Sequence, residues 1–232
     1  MSVIARTVGR PSFQRALDCI AAQTHRPLEI VLVDSRLTQP PTAEFRGIPV
    51  NHVRRGKLER IEAANTGLDA ARGEALLFLD DDDEIEPTHV SDLAAALSRG
   101  RERAAFSQTR LVDAAGRTER IFGGPFDRMA LFRSNYLAIH AVLFERSLLA
   151  EGCRFDESLA LLEDWDFWLQ VSMRTAFAFT GKPTAIYHAT RGQSGAGAGG
   201  NLDREGLLAQ RERLMRKWEN ARRALAIASG ST

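Results

Sequence analysis

The sequence predicts an α/β protein built on a mostly parallel sheet with helical crossovers. Two observations carry this expectation. Residues 28–33 (LEIVLV) and 75–79 (ALLFL) are short, almost continuous apolar runs, the pattern of strands covered on both faces. Segments with helical spacing separate them, and alternation of strand and helix is what a parallel sheet requires.

The elements follow in order. Residues 2–5 read as a short apolar strand that runs into a turn-like stretch from Thr7 to Pro11. Pro11 suits a helix entry, and Phe13, Ala16, Leu17, Ile20 and Ala21 then recur at helical spacing. The strand at 28–33 is followed by a helix over 60–72, closed by Gly73 in the stop position. After the strand at 75–79, Pro87 opens a helix that runs to Gly100. Beyond it the pattern is less regular. Residues 104–112 and 117–122 flank Asp113 to Gly116 as a hairpin, and 159–173 is a helix carrying two tryptophans. Residues 192–200 (GQSGAGAGG) form a glycine-rich loop, and 202–228 a charged amphipathic helix. The change of pattern near residue 100 marks two lobes sharing one core.

Composition narrows the class. A chain of 232 residues, 44% hydrophobic and 26% charged, is ordinary for a globular protein and long enough for a large core. With 31 basic and 30 acidic side chains, the net charge of +1 gives no field for nucleic acid or an anionic membrane. No apolar run reaches the roughly 18 residues of a membrane span. Arg6 and Arg10 interrupt the first residues before a signal-peptide core develops. Cys19 and Cys153 lack metal-ligand spacing and suit reduced thiols. The expectation is a soluble, cytoplasmic chain without nucleic acid or a membrane span. The last helix carries Arg211, Arg213, Arg216, Lys217, Arg222 and Arg223, but interspersed glutamates favour packing on the domain over contact with lipid.

Asp80, Asp81, Asp82, Asp83 and Glu84 follow directly on the strand at 75–79. Ligands of open parallel sheets bind outside the carboxyl ends of strands, which places these carboxylates at a crevice edge. Adjacent carboxylates repel, by roughly 4 kcal/mol for a pair ~4 Å apart at an effective dielectric of 20. A hard cation such as Mg²⁺ or Mn²⁺ relieves that repulsion and bridges to phosphates. The bland alternative is a solvated loop that caps the helix opened by Pro87.

The order of motifs resembles family 2 glycosyltransferases of the GT-A fold over about residues 2–190. SVIARTVGRP stands where the family has a pattern like SVIIPTYNRP, followed by Gln23-Thr24 and a strand ending at Asp34. Arg60 and AANTGLDAARGEALLFLDDDDEIEP then match the family's Arg, A-N-x-G helix, A-x-GE, strand and DXD motif with its Pro. GCRFDESLALLEDWDFWLQV is similar to the family's G-x-FDE-L and EDWDLWLRL signature. The resemblance implies a three-layer α/β/α sandwich, with the nucleotide-binding half over 1–100 and the acceptor half over 101–190. The loop at 191–201 and a packed C-terminal helix over 202–232 would complete the chain.

Residue by residue, the resemblance implies Asp164 as the catalytic base and Asp80, Asp82 and His188 as ligands of Mn²⁺ or Mg²⁺. It implies nucleotide-sugar contacts for Thr7, Asp34, Arg60, Asp80, Asp81, Asn135 and Glu163. Asp34 would hold the base and Arg60 approach the diphosphate. The implied partners are a nucleotide-diphosphate sugar and a saccharide or lipid-linked saccharide acceptor, in glycan or polysaccharide assembly. Three departures stand out: Val8-Gly9 replaces Tyr-Asn, Ser35 replaces the second acid of VDD, and Arg6 replaces a Pro or apolar residue. They leave the nucleotide base open and allow a second reading, a binding module that has lost turnover. Asp80 and Asp82 also have the spacing of haloacid-dehalogenase phosphotransferases. That fold uses its first strand and a Thr or Val where this chain has Glu84.

As a base, Asp164 needs a pKa above the usual ~3.9. Trp165, Phe167 and Trp168 desolvate it and Glu163 adds like charge, while a helix N-terminus opposes both. Asn135 and His140 are further candidates for substrate contact, His140 against the plainer reading of a hydrogen-bonded core histidine. The glycine-rich loop reads as a linker or as a lid over bound nucleotide.

Overall fold

The computed structural model describes residues 1–34, 43–54, 56, 58–188 and 204–230. The glycine-rich loop at 192–200 and Ser35 lie outside them. The chain opens β1 (Ser2–Thr7), α1 (Phe13–Ala21), β2 (Glu29–Asp34), β3 (Glu44–Phe45), β4 (Ile48–Arg54) and α2 (Arg60–Ala70). It continues β5 (Ala75–Asp80), β6 (Glu84–Ile85), α3 (His89–Leu97), β7 (Ala104–Phe106), β8 (Thr109–Val112) and β9 (Thr118–Phe122). Next come α4 (Arg128–Arg133), a 3₁₀ turn at Ile139–Ala141, β10 (Val142–Glu145), α5 (Ser147–Ala150) and α6 (Glu163–Ser172). β11 (Phe177–Phe179), β12 (Ala185–His188) and α7 (Arg204–Gly230) complete it.

Eight strands form the main sheet in the order β11-β7-β10-β5-β1-β2-β4-β3. The run β5-β1-β2-β4 is parallel, whereas β10 lies antiparallel between β5 and β7. A smaller sheet, β6-β12-β8-β9, stands beside it. Alternate residues of the central strands feed two cores, as the two-residue period of a strand demands. Ile4, Val31, Val33, Phe78 and Phe144 pack with α2, α4, α6 and Leu214 of α7. Val3, Ile30, Leu32, Leu77 and Leu143 pack with α1 and α3 on the other face. The predicted three-layer α/β/α sandwich is what the chain adopts.

Boundaries differ from expectation where a turn overrides the apolar pattern. The predicted strand at 104–112 is two strands, because the chain leaves the main sheet after Phe106 and joins the smaller one at Thr109. The hairpin at Asp113 to Gly116 forms as predicted, with Asp113 N–H donating to the Arg117 carbonyl at 3.0 Å. The helix expected over 159–173 starts only at Glu163, because Leu162 has left-handed φ of 64°. The helix expected over 60–72 stops at Ala70, where Ala71 turns extended. β3, β4, β6, α4, β10, α5 and β11 have no counterpart among the expected elements, whereas β12 covers the strand expected to end at Ala185 to Tyr187.

Candidate active site

The carboxyl ends of β1 and β5 meet α2 and α6 at a cleft of about 810 Å³. Arg6 and Asp80 face each other across the β1–β5 register. The Arg6 guanidinium donates to both carboxylate oxygens, Nε to Oδ1 and Nη2 to Oδ2, each at 2.7 Å. Asp81 is buried and ties down the loop after β1. It accepts from Thr7 Oγ1 at 2.8 Å and Val8 N–H at 3.0 Å, and pairs with Arg10. Arg10 also lies 3.3 Å from Asp82. Asp83 lies 3.0 Å from Nδ1 of the fully buried His140.

Across the cleft, α6 presents Glu163 and Asp164 from its first turn, where the helix dipole favours negative charge. Glu163 is buried and pairs with Nε of Arg60, the first residue of α2, at 2.7 Å. Asp164 accepts from Trp165 N–H at 2.8 Å and from Asn135 Nδ2 at 3.0 Å. Burial and the Glu163 charge push the Asp164 carboxyl up to about 6, against the pull of Arg60 and the Trp165 amide. Desolvation therefore prevails over the helix end. Burial also raises Asp82 to about 6, assisted by the charges of Asp83 and Asp80. At Asp80 burial acts in the same sense, but Arg6 outweighs it and holds the carboxyl below its usual value.

The structure thus brings Thr7, Arg60, Asp80, Asp81, Asp82, Asn135, Glu163 and Asp164 to one cleft. Asp34 and His188 stand apart from it. Asp34 ends β2 beside Thr7, but is fully buried and bonds His52 Nε2 at 3.1 Å. His188 ends β12 with Nε2 2.9 Å from Glu84, outside the group formed by Asp80, Asp82 and Asp83. Those three acids each place an oxygen within 4.8 Å of the others, a donor set that suits a hard cation. Asp82 and Asp83 fit that task, whereas Arg6 already holds both oxygens of Asp80.

Sequence reasoning missed Arg6, Arg10 and Arg211 as parts of this cleft. Arg10 had a signal, since it lies in the first matched motif. Arg211 had none. It comes from α7, lies 6.0 Å over the Trp165 ring and donates to the Arg133 carbonyl at 3.2 Å. A latch on Asp166 holds α7 there: Trp218 Nε1 donates to it at 2.7 Å and Lys217 Nζ at 2.9 Å.

Comparison with known proteins places this geometry. The family profile described as Glycosyl transferase family 2 matches residues 2–140. The chain is 27% identical over 215 residues to the succinoglycan biosynthesis protein ExoO of Rhizobium meliloti (strain 1021), covering 82% of this chain and 60% of that one. The chain therefore spans less than two thirds of that relative's length. Its fold is similar to S. aureus TarS 1-349 in complex with UDP-GlcNAc, at a TM-score of 0.69 and 18% identity, over 94% of this chain and 71% of that one. It is also similar to a mannosyltransferase from Pyrobaculum calidifontis in complex with GDP-Man and Mn²⁺. There the TM-score is 0.60 and the identity 17%, over 99% of this chain and 79% of the other.

Proposed function

The chain belongs to glycosyl transferase family 2, and from that membership and the two-sided acidic cleft we propose that it moves a sugar from a nucleotide-diphosphate sugar to a hydroxyl acceptor. The observation that carries the reading is Asp164. It is a cleft carboxylate with its pKa raised to about 6, oriented by Asn135 and the Trp165 amide, opposite the aspartates of β5. A base poised near neutral pH is what deprotonation of an acceptor hydroxyl needs, and such catalysis contributes ~10²–10⁴-fold.

In the proposed reaction the acceptor oxygen bonds to the anomeric carbon as the bond from that carbon to the diphosphate breaks. Its proton passes to Asp164. Attack from the face opposite the leaving group inverts the anomeric configuration. Asp82, with Asp83 beside it, would hold Mn²⁺ or Mg²⁺. Such an ion supplies neutralisation of the charge gathering on the departing diphosphate. Arg60, at the N-terminal end of α2, approaches the same oxygens. The half over 1–100 binds the donor and the half over 101–190 the acceptor. The fold neighbours solved with UDP-GlcNAc and GDP-Man support a nucleotide-sugar donor, and the relative named for succinoglycan biosynthesis supports a place in polysaccharide assembly.

The test is Asp164→Asn, assayed for nucleotide binding by calorimetry and for sugar transfer. Nucleotide affinity should stay within about twofold while transfer falls by ~10²–10⁴-fold. Full transfer by the variant overturns the base assignment. Binding without transfer by the unaltered protein, with every acceptor tried, points instead to a binding module.

A further inference from the structure

One residue of the site works against the cation that the site is built to attract. Arg6 stands where the resemblance expects Pro or an apolar residue. Its guanidinium forms a fork on Asp80, with both bonds at 2.7 Å. A third contact, from Nη1 to the Arg60 carbonyl at 3.3 Å, and the Phe78 ring 5.4 Å below fix its plane. The two side chains are only 7% and 16% exposed, so water competes little for this pair. Charge-assisted, bidentate bonds of this kind are among the strongest a carboxylate makes. A divalent ion on Asp80 would have to displace one of them, or sit against a fixed positive charge. Arg10 adds a second cation on Asp81 and Asp82, but reaches Asp82 only at 3.3 Å and leaves it the less committed acid.

We infer that Arg6 is a resident counter-cation that keeps Asp80 out of the metal's coordination shell and thereby sets the protein's affinity for free divalent ions. Arg6 acts through Asp80 and is a positioning residue. The protein alone holds the ion weakly, through Asp82 and Asp83, and the donor's diphosphate oxygens supply the ligands that Asp80 does not. The ion then arrives with the nucleotide rather than before it. This rests on the proposed donor, but its core is a property of the protein without nucleotide.

The experiment is calorimetric titration of the full chain with Mn²⁺ in the absence of nucleotide. Arg6→Leu should tighten the Mn²⁺ dissociation constant at least tenfold, and Arg6→Leu with Asp80→Asn should return it to the starting value. Asp82→Asn should weaken it at least tenfold, and Asp80→Asn alone, which leaves the Arg6 charge unneutralised beside the ion, should not tighten it. Thermal melts check that each variant folds. If Arg6→Leu does not fold, Arg6→Lys, which keeps charge but loses the fork, should tighten binding severalfold. Unchanged affinity in a folded Arg6 variant, or tightening that persists when Asp80→Asn is added to it, overturns the inference. No nucleotide enters the titration, so a wrong donor assignment leaves its result intact.

Discussion

At the scale of single residues, Asp164 makes the sharpest prediction. It accepts a proton only when ionised, and its carboxyl sits at about 6. The transfer rate should therefore be flat above pH 7 and fall about tenfold per unit below 6. A rate profile with saturating donor checks this; a limb near 4 would show an unperturbed carboxylate. Asn65 is the counterpart in stability. Its side chain donates to the Phe155 carbonyl at 3.0 Å and accepts from the Phe155 amide at 3.1 Å, stitching the A-N-x-G helix to the FDE segment. Asn65→Ala leaves two buried backbone groups unpaired and should lower unfolding stability by about 2–4 kcal/mol in a denaturant titration. The motif was plain in the sequence. That its Asn holds a second motif 90 residues away was not, because a hydrogen bond across the core leaves no periodic trace.

At the scale of elements, close packing and latching decide what can change. α2 crosses β1 so closely that a Cβ on Gly67 would meet Ile4 Cγ2 at 2.4 Å and Val33 Cγ2 at 3.3 Å. Gly67→Ala should cost about 1–3 kcal/mol through overpacking, read as a lowered melting temperature. α7 is held by Asp166, which is fully buried beneath Lys217 and Trp218. Asp166→Ala removes both bonds and should release α7 to trypsin, at its many arginines, well below the global melting temperature. The elements legible in the sequence were those that announce themselves locally: β2 and β5 by unbroken apolar runs, α1 by its stripe. β10 escaped because it is four residues long and its apolar pattern merges with the 3₁₀ turn before it. α6 was read as starting four residues too early because its left-handed break falls on Leu162, where no glycine marked it. The acids of the cleft and Arg60 were readable from order and spacing, while the pairing of Arg6 with Asp80 and of Arg10 with Asp81 was not.

At the scale of the whole molecule, ligand binding should register as stability. A nucleotide present at 100 times its dissociation constant adds ~2.7 kcal/mol, about 5–10 °C in melting temperature for a chain of this size. Melts with UDP, GDP and dTDP, each with Mn²⁺ or EDTA, should single out one base. A uniform absence of shift counts against the donor site. The strand order has a further consequence. β5 is flanked by β1 on one side and by β10 on the other, and β10 begins only at Val142. During synthesis the first hundred residues emerge with one full edge of β5 unpaired and both its faces apolar, the kind of edge on which chains associate. The half proposed to bind the nucleotide is therefore not a unit that folds ahead of the other. A ribosome must deliver the middle of the chain before the beginning can close, and a fragment cut near residue 100 should aggregate rather than work as a smaller nucleotide-binding protein.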